Sequence, residues 1–158
     1  MKQAVQKETD PVLQWVTFRL GEEVYGVNVM QVQEVLRVTE VAPVPGAPHY
    51  VLGIVNLRGN VVTVMDTRSR FGLPPAELDD AARIVIIETQ GQVFGMLVDS
   101  VAEVVELRAS QVDPTPNVGA DDSARYLQGV ASLDGDLLIL VDLDRLLSDE
   151  EWDELNAV

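Results

Sequence analysis

Two pairs of aspartates are the residues of this chain whose type and spacing could do chemistry. Asp134 and Asp136 flank Gly135, and Asp142 and Asp144 stand two residues apart. Alternate residues of a strand share a face, so either pair could hold a hard cation such as calcium or magnesium. A metal-dependent enzyme using Asp134 and Asp136 is the remote reading that follows. The competing reading is turn chemistry, because Asp and Gly accept the positive φ of a tight hairpin.

The remaining chemistry-bearing residues lead away from catalysis. The single histidine, His49, follows Ala47-Pro48 with no orienting acid or nucleophile beside it, and a general base needs both. There is no cysteine, hence no thiol nucleophile, disulfide framework or Cys-type metal site. No Gly-x-x-x-x-Gly-Lys, Gly-x-Gly-x-x-Gly or Gly-x-Ser-x-Gly run occurs. The expectation is a protein with no catalytic residues, no metal site and no cofactor.

Charge narrows the partners. The formal net charge is −15, which disfavours nucleic-acid binding, since that needs Lys and Arg to displace counterions. It equally disfavours anionic membrane. The acids gather at Glu77-Leu78-Asp79-Asp80, at Asp121-Asp122 and from Asp149 onward, a pattern of solvated loops that could also steer a basic partner. Met1 to Pro11 is polar, without the apolar core of a signal peptide, and no 18-residue apolar run exists. A cytoplasmic protein without membrane insertion is expected.

The elements that position these residues come in two copies. Gly21-Glu22-Glu23-Val24-Tyr25-Gly26-Val27, followed by Val29, Val32, Glu34 and Val35, recurs from Gly91 to Met96, followed by Val98, Val101, Glu103 and Val104. Tyr50 to Gly59, ending at Asp66, recurs as Tyr126 to Gly135, ending at Asp142. Such self-similarity means a pseudo-symmetric pair of subdomains. Each would be marginal alone, so they should share a core. That core must be aliphatic, because aromatics make up only 5% of residues.

Along the chain, residues 1–11 read as a flexible lead-in. Strands are expected at Val12–Leu20, Val24–Val29, Tyr50–Leu57, Asn60–Asp66, Arg83–Thr89, Val93–Val98, Tyr126–Leu133 and Leu137–Asp142. Val29, Val32, Val35 and Leu36 sit at helical spacing and predict a helical turn or two. Val101, Val104 and Val105 predict the same, opened by Asp99 as N-cap. The three prolines of 41–48 and the prolines and aspartates of 110–125 read as loops. Ser148 and Glu151 form a capping box for a closing helix over 148–158. The fold class is mainly β, with two pseudo-symmetric five-stranded SH3-like barrels, short helices and a C-terminal helix. The whole of 12–158 forms one domain, with subdomains near 12–73 and 82–147.

Copies that agree point to structure, and copies that differ point to function. Asp66 matches Asp142, and Glu34 matches Glu103. Arg58 matches Asp134, so one hairpin turn carries opposite charge in the two copies. An arginine raised on a rigid turn can form bidentate contacts with a partner carboxylate; the plainer alternative is solvated surface. Val29, Val32 and Val35, with Val98, Val101 and Val104, either cap their own barrels or line a groove at the subdomain junction that could take a partner helix.

Tyr25-Gly26-Val27-Asn28-Val29, Val32-Gln33-Glu34-Val35, Pro43-Val44-Pro45, Gly53-Ile54-Val55-Asn56-Leu57-Arg58-Gly59 and Val64-Met65-Asp66 resemble the CheW family of chemotaxis coupling proteins. Gly95 to Val101 and Leu138 to Asp142 fit as well. The resemblance runs from about Val12 to Leu147 and implies the CheW-like fold of two SH3-like barrels. It implies a non-enzymatic adaptor that joins the cytoplasmic tip of methyl-accepting chemoreceptors to the regulatory domain of the histidine kinase CheA, and is thereby recruited to membrane receptor arrays. A coupler of a twitching or surface-sensing pathway is the alternative within the family. Carried over residue by residue, the receptor-binding groove would include Val16, Val29, Val32, Val35 and Val101. Partner contacts would fall on Glu34, Gly53, Arg58 and Gly59.

Overall fold

The computed structural model describes residues 10–114 and 126–156. The expected lead-in before residue 10, most of the 110–125 loop with Asp121-Asp122, and the last two residues of the chain lie outside the described residues. Eleven strands are described: β1 Val12–Leu20, β2 Glu23–Asn28, β3 Val32–Arg37, β4 Val51–Leu57, β5 Asn60–Asp66, β6 Arg83–Thr89, β7 Gln92–Val98, β8 Ser100–Arg108, β9 Asp113–Pro114, β10 Leu127–Leu133 and β11 Asp136–Val141. They form two sheets. Sheet I has the order β8-β1-β2-β11-β10-β9, and sheet II the order β3-β6-β7-β5-β4.

The repeat expected from the sequence is visible strand by strand. Sheet II maps onto the first five strands of sheet I in the same order. Each has one parallel pair at its centre: Val64 opposite Gly95 in sheet II, Leu140 opposite Gly26 in sheet I. The irregularities match too. From Val32 to Val35, β3 takes three steps where β6 takes two, from Ile87 to Val85. From Val101 to Val104, β8 takes three steps where β1 takes two, from Phe18 to Val16. Both are β-bulges, which re-aim side chains.

Strands are not sorted between the sheets as the expected division at 73 and 82 would sort them. Sheet I takes β1 and β2 from the first repeat and the rest from the second. Sheet II takes β3, β4 and β5 from the first and β6 and β7 from the second. The repeats have exchanged their first hairpins. Each sheet is thus built across the whole chain, and neither copy completes a sheet alone.

The core follows from this exchange. A central cluster holds Phe18, Tyr25 and Val27 from the first exchanged hairpin and Ile87, Phe94 and Met96 from the second. Sheet I has its own cluster around Trp15, Leu138 and Leu140, and sheet II another around Val64, Ile84 and Ile86. Each fully buried Val, Leu, Ile, Met or Phe side chain here contributes about 1.5–3 kcal/mol, and the central cluster belongs to both copies at once.

Two expected helices are strands. Asn28 caps a single 3-10 turn, Val29–Gln31, by accepting from the Met30 N–H at 2.9 Å, and β3 begins at Val32. Val101, Val104 and Val105 lie in β8, not in a helix. Asp99 caps no helix; its carboxylate accepts from the Gly21 N–H at 2.7 Å and from Arg68. Thr67–Arg70 form a one-turn helix, with Asp66 accepting from Ser69 N at 3.3 Å. The final helix is Asp149–Asn156. Its capping box is complete: Ser148 N donates to Glu151 at 2.9 Å and Glu151 N donates to Ser148 Oγ at 3.2 Å. Arg70 fastens it, with 2.6 and 3.0 Å hydrogen bonds to Glu151 and 3.1 Å to the Leu146 carbonyl.

Candidate functional site

Arg58 and Gly59 form the two-residue turn between β4 and β5. Their φ values are +51° and +87°, the double positive φ of a type I′ turn, whose twist suits a hairpin. Asp134 and Gly135 repeat it at +51° and +85°. Asn56 accepts from the Gly59 N–H at 2.8 Å and stiffens the first turn. Asp tolerates this conformation well, whereas a long side chain such as Arg does so at a cost. Strain at a charged surface residue is a reason to look there for function, although Gln90 adopts a similar φ of +52°.

The Arg58 guanidinium reaches Glu34 on β3. Nη1 donates to Oε1 at 3.2 Å, and Nη2 donates to Oε2 in a short ion pair. β3 and β4 are opposite edges of sheet II, so this pair clasps the open seam of the rolled sheet. The Arg58 side chain stays 69% exposed and that of Glu34 27%. The hydrogen bond from Arg58 holds the Glu34 carboxyl below the usual carboxylate range. What results is a guanidinium held in one orientation with most of its surface facing water.

Gly53 is buried in β4 for a packing reason. A Cβ there would overlap the carbonyl oxygen of Ala42, where the proline-rich loop bridges to Ile54. Its repeat partner Gly129 is in the same position: a Cβ would come within 2.7 Å of the Asp113 oxygen. Gly53 therefore places the loop 41–48 against β4 and makes no side-chain contact itself.

The valines divide. Val16 is buried, and Val29, Val32 and Val101 are half-buried against the central cluster. Val35 is 40% exposed and its mate Val104 52% exposed. Val32 and Val101 face the same shared cluster from the two repeats, while Val35 and Val104 face solvent.

Two features had no clear signal in the sequence. Asp99 joins three segments, bonding Gly21 N of the β1–β2 turn and Arg68 of the short helix at 2.9 and 2.5 Å. The Arg68 hydrogen bond lowers the Asp99 carboxyl, against the opposing effect of partial burial. Beside the Arg58 hairpin lies an apolar hollow of about 520 Å³, walled by Val41, Pro43, Ile54 and the 69% exposed Val61. Alternation alone marks Val61 as outward-facing but does not show that the loop folds beside it.

Among the described residues no three His, Cys, Asp or Glu side chains converge as metal ligands. Asp142 and Asp144 do other work. Asp142 accepts from Asp144 N at 3.0 Å, and Asp144 accepts from Thr89 Oγ1 and from Gln31 Nε2 at 3.3 Å.

Residues 14–151 match the CheW-like domain family. A chemotaxis protein CheW of Rhizobium meliloti is 33% identical, covering 96% of this chain and 97% of the relative. One of Treponema pallidum is 35% identical, covering 92% and 88%. Among solved structures, the scaffolding protein TtCheW of Thermoanaerobacter tengcongensis superposes with a TM-score of 0.81 at 32% identity, covering 89% of this chain and 96% of that one.

Proposed function

The chain belongs to the CheW family of chemotaxis scaffold proteins, and from that premise we propose that it couples the cytoplasmic tips of methyl-accepting chemoreceptors to the regulatory domain of the histidine kinase CheA. It does so as an adaptor, recruited to receptor arrays through those partners. The observation that carries the reading is the Arg58 guanidinium, kept at positive φ, oriented by Glu34 and left open to solvent. An ordered arginine loses little side-chain entropy on binding, which favours it as an anchor for a partner carboxylate. The hollow beside it, with Val61 exposed, supplies adjacent apolar area.

The mechanism is linkage. An adaptor alters kinase output by binding receptor and kinase states with different affinities, so that occupancy at one face shifts the equilibrium at the other. Glu34, Arg58 and Gly59 form the polar anchor. Val35 offers apolar surface on the same strand as Glu34, and Val32 and Val101 lie where the two repeats meet. Among the described residues no helix is long and apolar enough to cross a membrane.

The test is co-precipitation of kinase and receptor fragments with Arg58→Ala. Loss of either fragment from a variant that melts normally supports the reading. Undiminished recovery of both contradicts it.

A further inference from the structure

The clasp that closes sheet II is missing from sheet I, and a cavity lies in its place. In sheet II, Glu34 on the bulged edge strand holds Arg58 of the hairpin turn. The matching residues of sheet I are Glu103, on the bulged edge strand β8, and Asp134, at the same φ of +51° in the matching turn. An acid stands at both positions where the other copy has an acid and a base, and both border one hollow. Between them is a hollow of about 120 Å³, bordered also by Arg19, Asp136, Leu137 and Leu138.

The backbone of Glu103 is fixed in this position. Thr17, buried opposite the bulge, donates to the Glu103 carbonyl at 2.7 Å and accepts from its N–H at 3.0 Å. The counterpart of Thr17 in the other copy is the apolar Ile86, so this backbone anchor belongs to sheet I alone. The hollow is too small for a cofactor, whose sites run to about 300–1,000 Å³. It has room for the head of one side chain. Three carboxylates against one guanidinium leave it acidic. Among the described residues they do not converge as ligands on one metal ion. Leucine walls suit the weakly hydrated faces of a guanidinium better than an ammonium.

We propose that the hollow between Glu103 and Asp134 is a binding site for an arginine side chain carried on a surface turn of a partner protein. In sheet II that ligand is part of the chain, as Arg58; in sheet I it comes from outside. The copy whose turn carries Arg58 presents its guanidinium, and the copy whose turn carries Asp134 accepts one.

The experiment is an NMR titration of the full chain with Nα-acetyl-arginine amide, and with the neutral citrulline analogue. Amide shifts of residues 102–104 and 133–138 should follow the arginine probe. They should require about fivefold or more of the citrulline probe, which lacks the charge. Asp134→Arg rebuilds the internal clasp at a turn whose twin already carries arginine, and should abolish the response. Asp134→Asn keeps the turn and should weaken the response about threefold. Scattered shifts, equal shifts with citrulline, or an undiminished response in Asp134→Asn would overturn the site. Because the probe is neither a receptor nor a kinase, these outcomes are separable from the coupling reading.

Discussion

Arg58 grips Glu34 across the two edges of sheet II, from a turn where its own backbone is strained. Stability and partner contact pull this residue in opposite directions. Glycine at φ +51° relieves strain, while an ion pair this exposed adds little to stability. Arg58→Gly should therefore move Tm by no more than roughly 2–4 °C for a domain of this size. Binding of kinase or receptor fragments should fall sharply. Calorimetry beside a pull-down separates the two effects; a Tm loss beyond about 10 °C would make Arg58 a folding residue.

Gly53 and Gly129 test the packing assignment. Gly53→Ala drives a Cβ into the Ala42 carbonyl, and Gly129→Ala one into the Asp113 carbonyl. Each should cost about 1–3 kcal/mol by overpacking, Gly53→Ala the more. Urea unfolding gives the values. An unaltered midpoint for Gly53→Ala would return that position to the partner surface.

The Asp99 clasp predicts a pH signature. Its carboxyl is lowered in the folded protein by the Arg68 hydrogen bond. Its contribution is therefore complete above the unfolded-state value near pH 4, and is lost as pH falls through the lower folded-state value. Asp99→Asn should cost about 1.5–3 kcal/mol at pH 7, the range for hydrogen bonds to charged groups. Its deficit should shrink below about pH 4. A deficit that is the same at pH 3 and pH 7 would show that geometry, not charge, holds the three segments.

Val32 and Val35 separate the core from the surface. Val32→Asp places a charge against the central cluster and should cost about 2 kcal/mol or more. Val35 is 40% exposed, so Val35→Asp should cost less than about 1 kcal/mol. If Val35→Asp nevertheless abolishes receptor binding, the partner surface includes β3. Full binding by Val35→Asp removes that residue from it.

The repeat, both glycine turns, the closing helix and most strands were legible in the sequence, because alternation, turn residues and a capping box are local signals. The exchange of hairpins was not. Alternation in Val24–Val27 and Val93–Val98 tells which face of a strand is buried, not which strand lies beside it. The helical reading of Val29, Val32 and Val35 failed for a specific reason. A 3-10 turn repeats every three residues, and the bulge at Gln33 then makes Val32 and Val35 three apart along a strand. The same bulge misled at Val101 and Val104. At the site, Arg58 stood out as the place where the copies differ, but its ion pair with Glu34 required knowing that β3 and β4 are the two edges of one sheet.

Receptor-dependent kinase activity measures the coupling directly. Receptor cytoplasmic fragments clustered on vesicles and purified CheA should give low kinase autophosphorylation alone. Adding this chain should raise it at least about tenfold, which needs only about 1.4 kcal/mol of coupling, and Arg58→Ala should return it to the starting level while remaining folded. Activity that does not respond to the chain, or responds equally to Arg58→Ala, would contradict the account.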